Sequence, residues 1–271
     1  MIRHLCFLLF FFNLTHSVFG LKPDSTYITN PNDLWLAYEN LQLQTIDNAI
    51  IDVWQIFADS TTKKNTTLIL AYGDSGNKSY WLYQAAILNQ FGYDIVLFDY
   101  RGFGKSSEFA MNANQLYYDE FATDLSCVIH WSKEEYSKNK LGVWALSMGT
   151  IMTAIALQTE SIDFLIAEGF VLDPIAIQQR IGKMKSKEIV LPESHSNYAK
   201  CLSNLQLPVL LFAGTSDLFT TVGDSKSFAN SAKNRRVISF NGNHLQGFQC
   251  LTKSDFGDLY IAEMDRFIRK F

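Results

Sequence analysis

The sequence predicts an α/β domain: about eight strands in a mostly parallel sheet, helices on both faces, and a small insertion before the last two strands. Three observations carry this. Short apolar runs alternate with helical patterns, the rhythm of strand–helix–strand units. Most strand runs are continuously apolar, as strands covered on both faces must be. Hydrophobic residues make up 48% of the 271 positions and charged residues 18%, enough for a large core and unlike a disordered chain. No repeat, low-complexity tract or long Pro/Gly/Ser linker divides the sequence.

Residues 1–20 read as a secretory signal peptide, leaving 21–271 as one domain in a secreted or periplasmic protein. Arg3 and His4 precede the apolar run Leu5 to Phe12, and Val18 and Gly20 take the small-residue positions ahead of a cut before Leu21. The run is too short for a membrane span, which needs about 20 apolar residues. Leu41 to Ile46 and Ile50 to Ala58, joined through Asp47-Asn48, form a hairpin pattern. Thr67 to Gly73 and Tyr93 to Tyr100 are buried-strand runs, with a helical pattern over Ser79 to Phe91 between them. An amphipathic helix follows over Gln115 to Trp131, then a strand at Leu141 to Leu146, a helix at Gly149 to Leu157 and a strand at Phe164 to Leu172. Residues Pro174 to Leu207 break the rhythm and form the insertion, read as a small lid. Pro208 to Gly214, Ser225 to Ser231, Arg236 to Phe240 and Phe248 to Phe271 complete the chain as strand, helix, strand and helix.

The formal charge of −4 and the absence of any basic tract argue against nucleic acid as a partner. Without the signal peptide three cysteines remain, Cys127, Cys201 and Cys250, so an oxidising compartment leaves at least one thiol unpaired. Cys127 lies on the apolar face of its helix pattern; the sequence does not say whether Cys201 and Cys250 pair.

In an open α/β sheet, ligands bind at the carboxyl ends of the strands. One strand end stands out: Ala145-Leu146-Ser147-Met148-Gly149. A serine hydroxyl is a poor nucleophile unless held exposed beside a base. A sharp strand-to-helix turn does this, and leaves room only for small residues two before and two after the serine. Ala145 replaces the first glycine of the G-x-S-x-G pattern. The competing reading is a serine that merely caps the helix. The second motif is Asp99-Tyr100-Arg101-Gly102-Phe103-Gly104-Lys105-Ser106, which makes a tight loop after its strand. Together these motifs resemble the α/β-hydrolase superfamily, in its short-lid branch of serine-aminopeptidase-like and monoacylglycerol-lipase-like proteins, from Gln42 to the C-terminus. The resemblance implies that the Asp99 loop is structural and that Arg101 is scaffold, holding loop carbonyls.

A serine hydrolase needs a base, and a carboxylate to fix the tautomer of that base. In this fold the chain order is serine, acid, histidine. His4 and His16 lie in the signal peptide, His130 precedes the serine, and His195 sits in the insertion. His244, in a glycine-containing loop after the last strand, is the remaining candidate base. The candidate acid is Asp217, which follows the strand Pro208 to Gly214 at the place the family resemblance implies. Asp173 is its rival, although Pro174 makes it a turn-shaping residue. Glu168 lies within a strand and needs a partner if buried.

An acyl-transfer site also needs two N–H groups aimed at the developing oxyanion. One is Met148, directly after the nucleophile; by resemblance the other is the N–H of Asp74, in the loop after the third strand. Asp stands where that family commonly has Asn, and its charge would oppose the oxyanion unless the side chain turns away to cap local N–H groups. No metal-ligand spacing, cofactor motif or phosphate loop is present. Asn65 and Asn77 begin N-x-S/T triplets. Three functions follow as expectations. The first is a carboxylic-ester hydrolase (esterase, lipase-like or thioesterase) acting on a small acyl substrate. The second is an aminopeptidase-like enzyme with lid Glu188 or Glu193 receiving the substrate amine. The third is a non-enzymatic binding protein of the same fold.

Overall fold

The computed structural model describes residues 20–186 and 188–271; most of the signal-peptide segment, residues 1–19, lies outside them. The chain opens with a short strand β1 (Lys22–Pro23), followed by the hairpin β2 (Tyr38–Gln44) and β3 (Ile50–Ile56). Then come β4 (Thr66–Ala71), β5 (Ser75–Gly76), α1 (Leu82–Gln90), β6 (Asp94–Phe98) and α2 (Tyr118–Glu135). The second half comprises β7 (Lys140–Leu146), α3 (Met148–Ala156), β8 (Phe164–Glu168), α4 (Pro174–Lys185) and α5 (Tyr198–Asn204). It ends with β9 (Val209–Gly214), α6 (Val222–Ala229), β10 (Arg235–Phe240), α7 (Gly247–Cys250) and α8 (Asp258–Ile268).

Eight strands form one sheet in the order β10-β9-β8-β7-β4-β6-β3-β2. Seven of them run in one direction and β3 is reversed, pairing antiparallel with both β6 and β2. From β4 the chain winds towards β6, and from β7 it winds the other way through β8, β9 and β10. The β4–β7 junction is therefore the switch point, where strand ends open a crevice. The central strands are buried along their length, Leu68 to Ala71 and Val143 to Leu146 at 1% exposure or less, which is why they read as unbroken apolar runs.

Helices cover both faces. Trp144 of β7 meets Trp81, Phe248 of α7 and Tyr260 of α8, and Tyr260 stacks on Phe212 of β9 at 3.7 Å between centroids. α8 buries Tyr260, Ile261, Met264, Phe267 and Ile268, a stripe at helical spacing. Each such side chain removed from water stabilises the fold by about 2 kcal/mol.

The element boundaries differ from the sequence reading at three places. The strand expected over Phe164 to Leu172 stops at Glu168, because Gly169 adopts φ +65° and turns the chain. The single C-terminal helix is two, separated by a turn in which Gly257 adopts φ +74°. The pair β1–β5 was not visible in the sequence: Lys22 and Pro23 lie in parallel register with Ser75 and Gly76. The insertion folds as α4, a short 3-10 turn and α5. Cys127, Cys201 and Cys250 are all free thiols. Cys127 is half-buried, not a full core residue.

Candidate active site

Ser147 occupies the turn between β7 and α3 with φ 51° and ψ −118°, a strained conformation for a residue with a Cβ. It makes no side-chain cap bond to α3, so the helix-cap reading fails. The turn is held from both sides. The Ser147 N–H donates to the Glu168 carbonyl at 2.9 Å. At Gly149, any Cβ would overlap the Ala71 carbonyl, so α3 can start this close to β4 only with glycine there.

Ser147, His244 and Asp217 come together although 97 and 27 residues separate successive partners. His244 Nε2 lies 2.9 Å from Ser147 Oγ, and His244 Nδ1 lies 2.7 Å from Asp217 Oδ2. Asp217 is fixed by its own turn. Its Oδ1 accepts the N–H groups of Phe219 (2.9 Å) and Thr220 (3.0 Å), and the Thr220 hydroxyl donates to Oδ2 at 2.6 Å. Burial opposes the charge on Asp217, but the hydrogen bond and charge of His244, with the Thr220 bonds, outweigh it and hold the carboxyl below its ordinary range. Thr220 also stands 3.1 Å from His244 Nδ1. The sequence reading missed Thr220; the Asp-x-x-Thr spacing of a side-chain-closed turn was the signal available.

The other candidates lie elsewhere. Asp173 is exposed and caps α4, accepting from Ile175 N (2.8 Å) and Ala176 N (3.3 Å). His195 bonds the Pro192 carbonyl within its own turn, and His130 is exposed beside Glu134 and Glu160. Glu168 is buried at the end of β8, where its carboxylate accepts the Gly247 N–H at 2.6 Å. Burial pushes its pKa up to about 7 against the opposing bonds from Gly247 and Tyr260. Glu168 thus braces Ser147 through its main chain and the His244 loop through its side chain.

Met148 is the first residue of α3, so its N–H has no acceptor within the helix. The Gly73–Asp74 backbone passes beside it: a Cβ on Gly73 would stand 3.5 Å from Ser147 Cβ. The Asp74 carboxylate accepts the Gly20 N–H at 3.1 Å, so the side chain faces the N-terminal strand. The loop is supported from below by a buried ion cluster. Lys78, fully buried, contacts Asp52 and reaches Asp99 at 3.0 Å and the Tyr27 hydroxyl at 2.8 Å. Asp99 Oδ1 in turn accepts the Lys78 N–H at 2.7 Å and the Tyr72 hydroxyl at 3.1 Å. Arg101 is scaffold, but its partners correct the expectation: it pairs with the carboxylates of Asp124 (2.7 Å) and Asp47 (2.6 Å), not with loop carbonyls. Asn77 is fully buried, with both amide atoms bonded within the strand-to-loop junction, which closes this triplet to a glycan in the folded protein.

An apolar cavity opens beneath α4, lined among others by Leu116, Ile151, Val171, Ile177, Ile181 and Ile189. Glu188 and Glu193 are exposed and do not line it. Among the described residues no cluster of side chains could hold a metal ion, and no helix is long and apolar enough to cross a membrane.

Residues 66–180 match the family model described as serine aminopeptidase, S33. The uncharacterized protein YfhR of Escherichia coli O157:H7 is 26% identical over 257 residues, 92% of this chain and 86% of that protein. An esterase of Pyrococcus furiosus, Pf2001, superposes with a TM-score of 0.73 at 20% identity, covering 93% of this chain and 98% of the esterase. The acylaminoacyl peptidase of Pyrococcus horikoshii superposes at 0.63 and 18% identity, covering 90% of this chain and 43% of the peptidase. With its switch-point crevice, the positive-φ serine turn and these likenesses, the chain has the α/β-hydrolase fold, and its residues 66–180 are similar to the serine aminopeptidase S33 family.

Proposed function

We propose that the protein is a secreted serine hydrolase that cleaves carboxylic esters through an acyl-enzyme on Ser147. The observation that carries this is the continuous hydrogen-bonded chain from Ser147 Oγ through His244 to Asp217. In this reading His244 Nε2 takes the Ser147 proton as Oγ attacks the acyl carbonyl, and Asp217 holds the Nδ1–H tautomer and stabilises the imidazolium. The carbonyl oxygen gains negative charge opposite the N–H groups of Met148 and Asp74, each worth about 3 kcal/mol in such a site. His244 then returns the proton to the departing alkoxide. A water activated by the same base releases the acid and regenerates Ser147.

Ester cleavage is favoured over aminopeptidase action because the lid carboxylates of Glu188 and Glu193 are turned to solvent. A substrate ammonium needs a buried or focused negative charge, which exposed carboxylates do not supply. A binding protein without activity would have no use for a strained serine aligned with a base. The test is a panel of p-nitrophenyl esters from acetyl to octanoyl beside a panel of aminoacyl p-nitroanilides. Turnover of short esters with little turnover of the anilides is expected. Anilide turnover equal to or above that of the esters would reverse the assignment. N-terminal sequencing of protein recovered from the medium or periplasm tests secretion.

A further inference from the structure

We propose that Phe219 sets the acyl-chain length this enzyme accepts: its ring is the partition between catalytic His244 and the apolar cavity beneath α4, and it limits the substrate to short acyl groups. The inference rests on the ester-hydrolase reading above and narrows its substrate class.

Phe219 hangs from the turn of the catalytic acid, where its N–H donates to Asp217 Oδ1 at 2.9 Å. On one side its ring meets His244, with centroids 6.4 Å apart and the planes at 77°. It also joins Ile181 and Ile189 in a small buried cluster separate from the main core, on which Leu116 and Ile177 pack. Those four aliphatic residues all line the cavity. The cavity wall and the catalytic base are therefore one side chain apart. A second wall residue points to the same place: Ile151 stands four residues after Ser147, on the same face of α3.

The side chain of Phe219 carries the partition, and its main chain carries the support. Arg180 of α4 donates to the Phe219 carbonyl at 2.5 Å while pairing with Asp224 at 2.5 Å. The N–H of Phe219 is held by Asp217. Both bonds survive when the ring is cut back, so truncation opens the cavity towards His244 without releasing the acid turn or α4. An apolar cavity holds hydrocarbon in preference to water, so the space behind Phe219 suits the distal methylenes of an acyl chain. Each methylene that gains burial there is worth about fourfold in kcat/KM.

The experiment measures kcat/KM for p-nitrophenyl octanoate and acetate and takes their ratio. Phe219→Ala is expected to raise the ratio at least about tenfold, the equivalent of about two newly buried methylenes. Phe219→Leu, the milder variant if alanine does not fold, is expected to raise it about threefold. Ile177→Phe, which fills the cavity, should leave the ratio unchanged when introduced alone and should cancel the gain when added to Phe219→Ala. Leu218→Ala alters the exposed neighbour in the same turn and should change nothing. An unchanged ratio in a folded Phe219 variant would overturn the inference. So would a gain that Ile177→Phe does not cancel, or an equal gain in Leu218→Ala, since either would mean a loosened turn and not an opened cavity. Fluorophosphonate labelling of the wild-type chain keeps the two readings apart. No label means that the hydrolase reading fails; a labelled enzyme with a fixed ratio means that only the role of Phe219 fails.

Discussion

Glu168 makes stability depend on pH in a way that one substitution should erase. The carboxyl is 3% exposed, and its pKa rises from the ordinary 4.5 to about 7, chiefly through burial. Below pH 4.5 it is protonated in both folded and unfolded chains. Between the two values the unfolded chain releases the proton and the folded one keeps it, so stability falls as pH rises and the loss is complete above about 7. A shift of this size corresponds to roughly 3 kcal/mol at 1.36 kcal/mol per unit. Glu168→Gln keeps an acceptor for the Gly247 N–H and cannot ionise. At pH 5 the variant should be less stable than the parent by about 1 kcal/mol, from the disturbed bond to Tyr260. By pH 8 the order should reverse by about 2 kcal/mol, or some 4–8 °C in thermal midpoint for a chain of this size. Urea denaturation of both proteins from pH 4.5 to 8 measures the difference directly, since other titrating groups cancel. A difference that does not change with pH would refute the reasoning.

Other outcomes follow from the same geometry. Asp217→Asn should lower kcat about 10⁴-fold by favouring the wrong His244 tautomer, while Asp173→Asn should leave kcat within about twofold. Steady-state kinetics on one ester decides between the two carboxylates. Gly149→Ala forces a methyl into the Ala71 carbonyl, so a loss of at least about 3 kcal/mol of stability, read by calorimetry, is expected. Lys78→Met strips the cation from buried Asp52 and Asp99 and should cost about 3–5 kcal/mol. Adding Asp52→Asn to it should recover part of that loss in the same melting experiment.

The parts legible from sequence were those with a local pattern. Thr67 to Gly73 and Pro208 to Gly214 read as strands because both faces are covered, so their composition is uniformly apolar. His244 was legible by position, being the one histidine after the last strand of a fold whose chain order is set by the strand sequence. The N-terminal strand was not, since Lys22-Pro23 has no strand pattern and exists only because Ser75-Gly76 offers an edge. The Lys78 cluster joins residues 52, 78 and 99 from three separate elements, and no spacing rule links them. Likewise, Glu168 read as an awkward strand residue; its partners Gly247 and Tyr260 lie far along the chain, past two further strands. Arg101 was read as scaffold from its loop, but carboxylates from a hairpin turn and a distant helix are what it holds.

The central claim is that Ser147 is a nucleophile activated by His244. Intact-mass analysis after incubation with a fluorophosphonate tests it most directly. The account expects one adduct per chain, mapped to Ser147, absent in Ser147→Ala and slowed by a factor of about 10³ or more in His244→Ala. A folded wild-type chain that takes up no adduct, or one labelled on another residue, would contradict it.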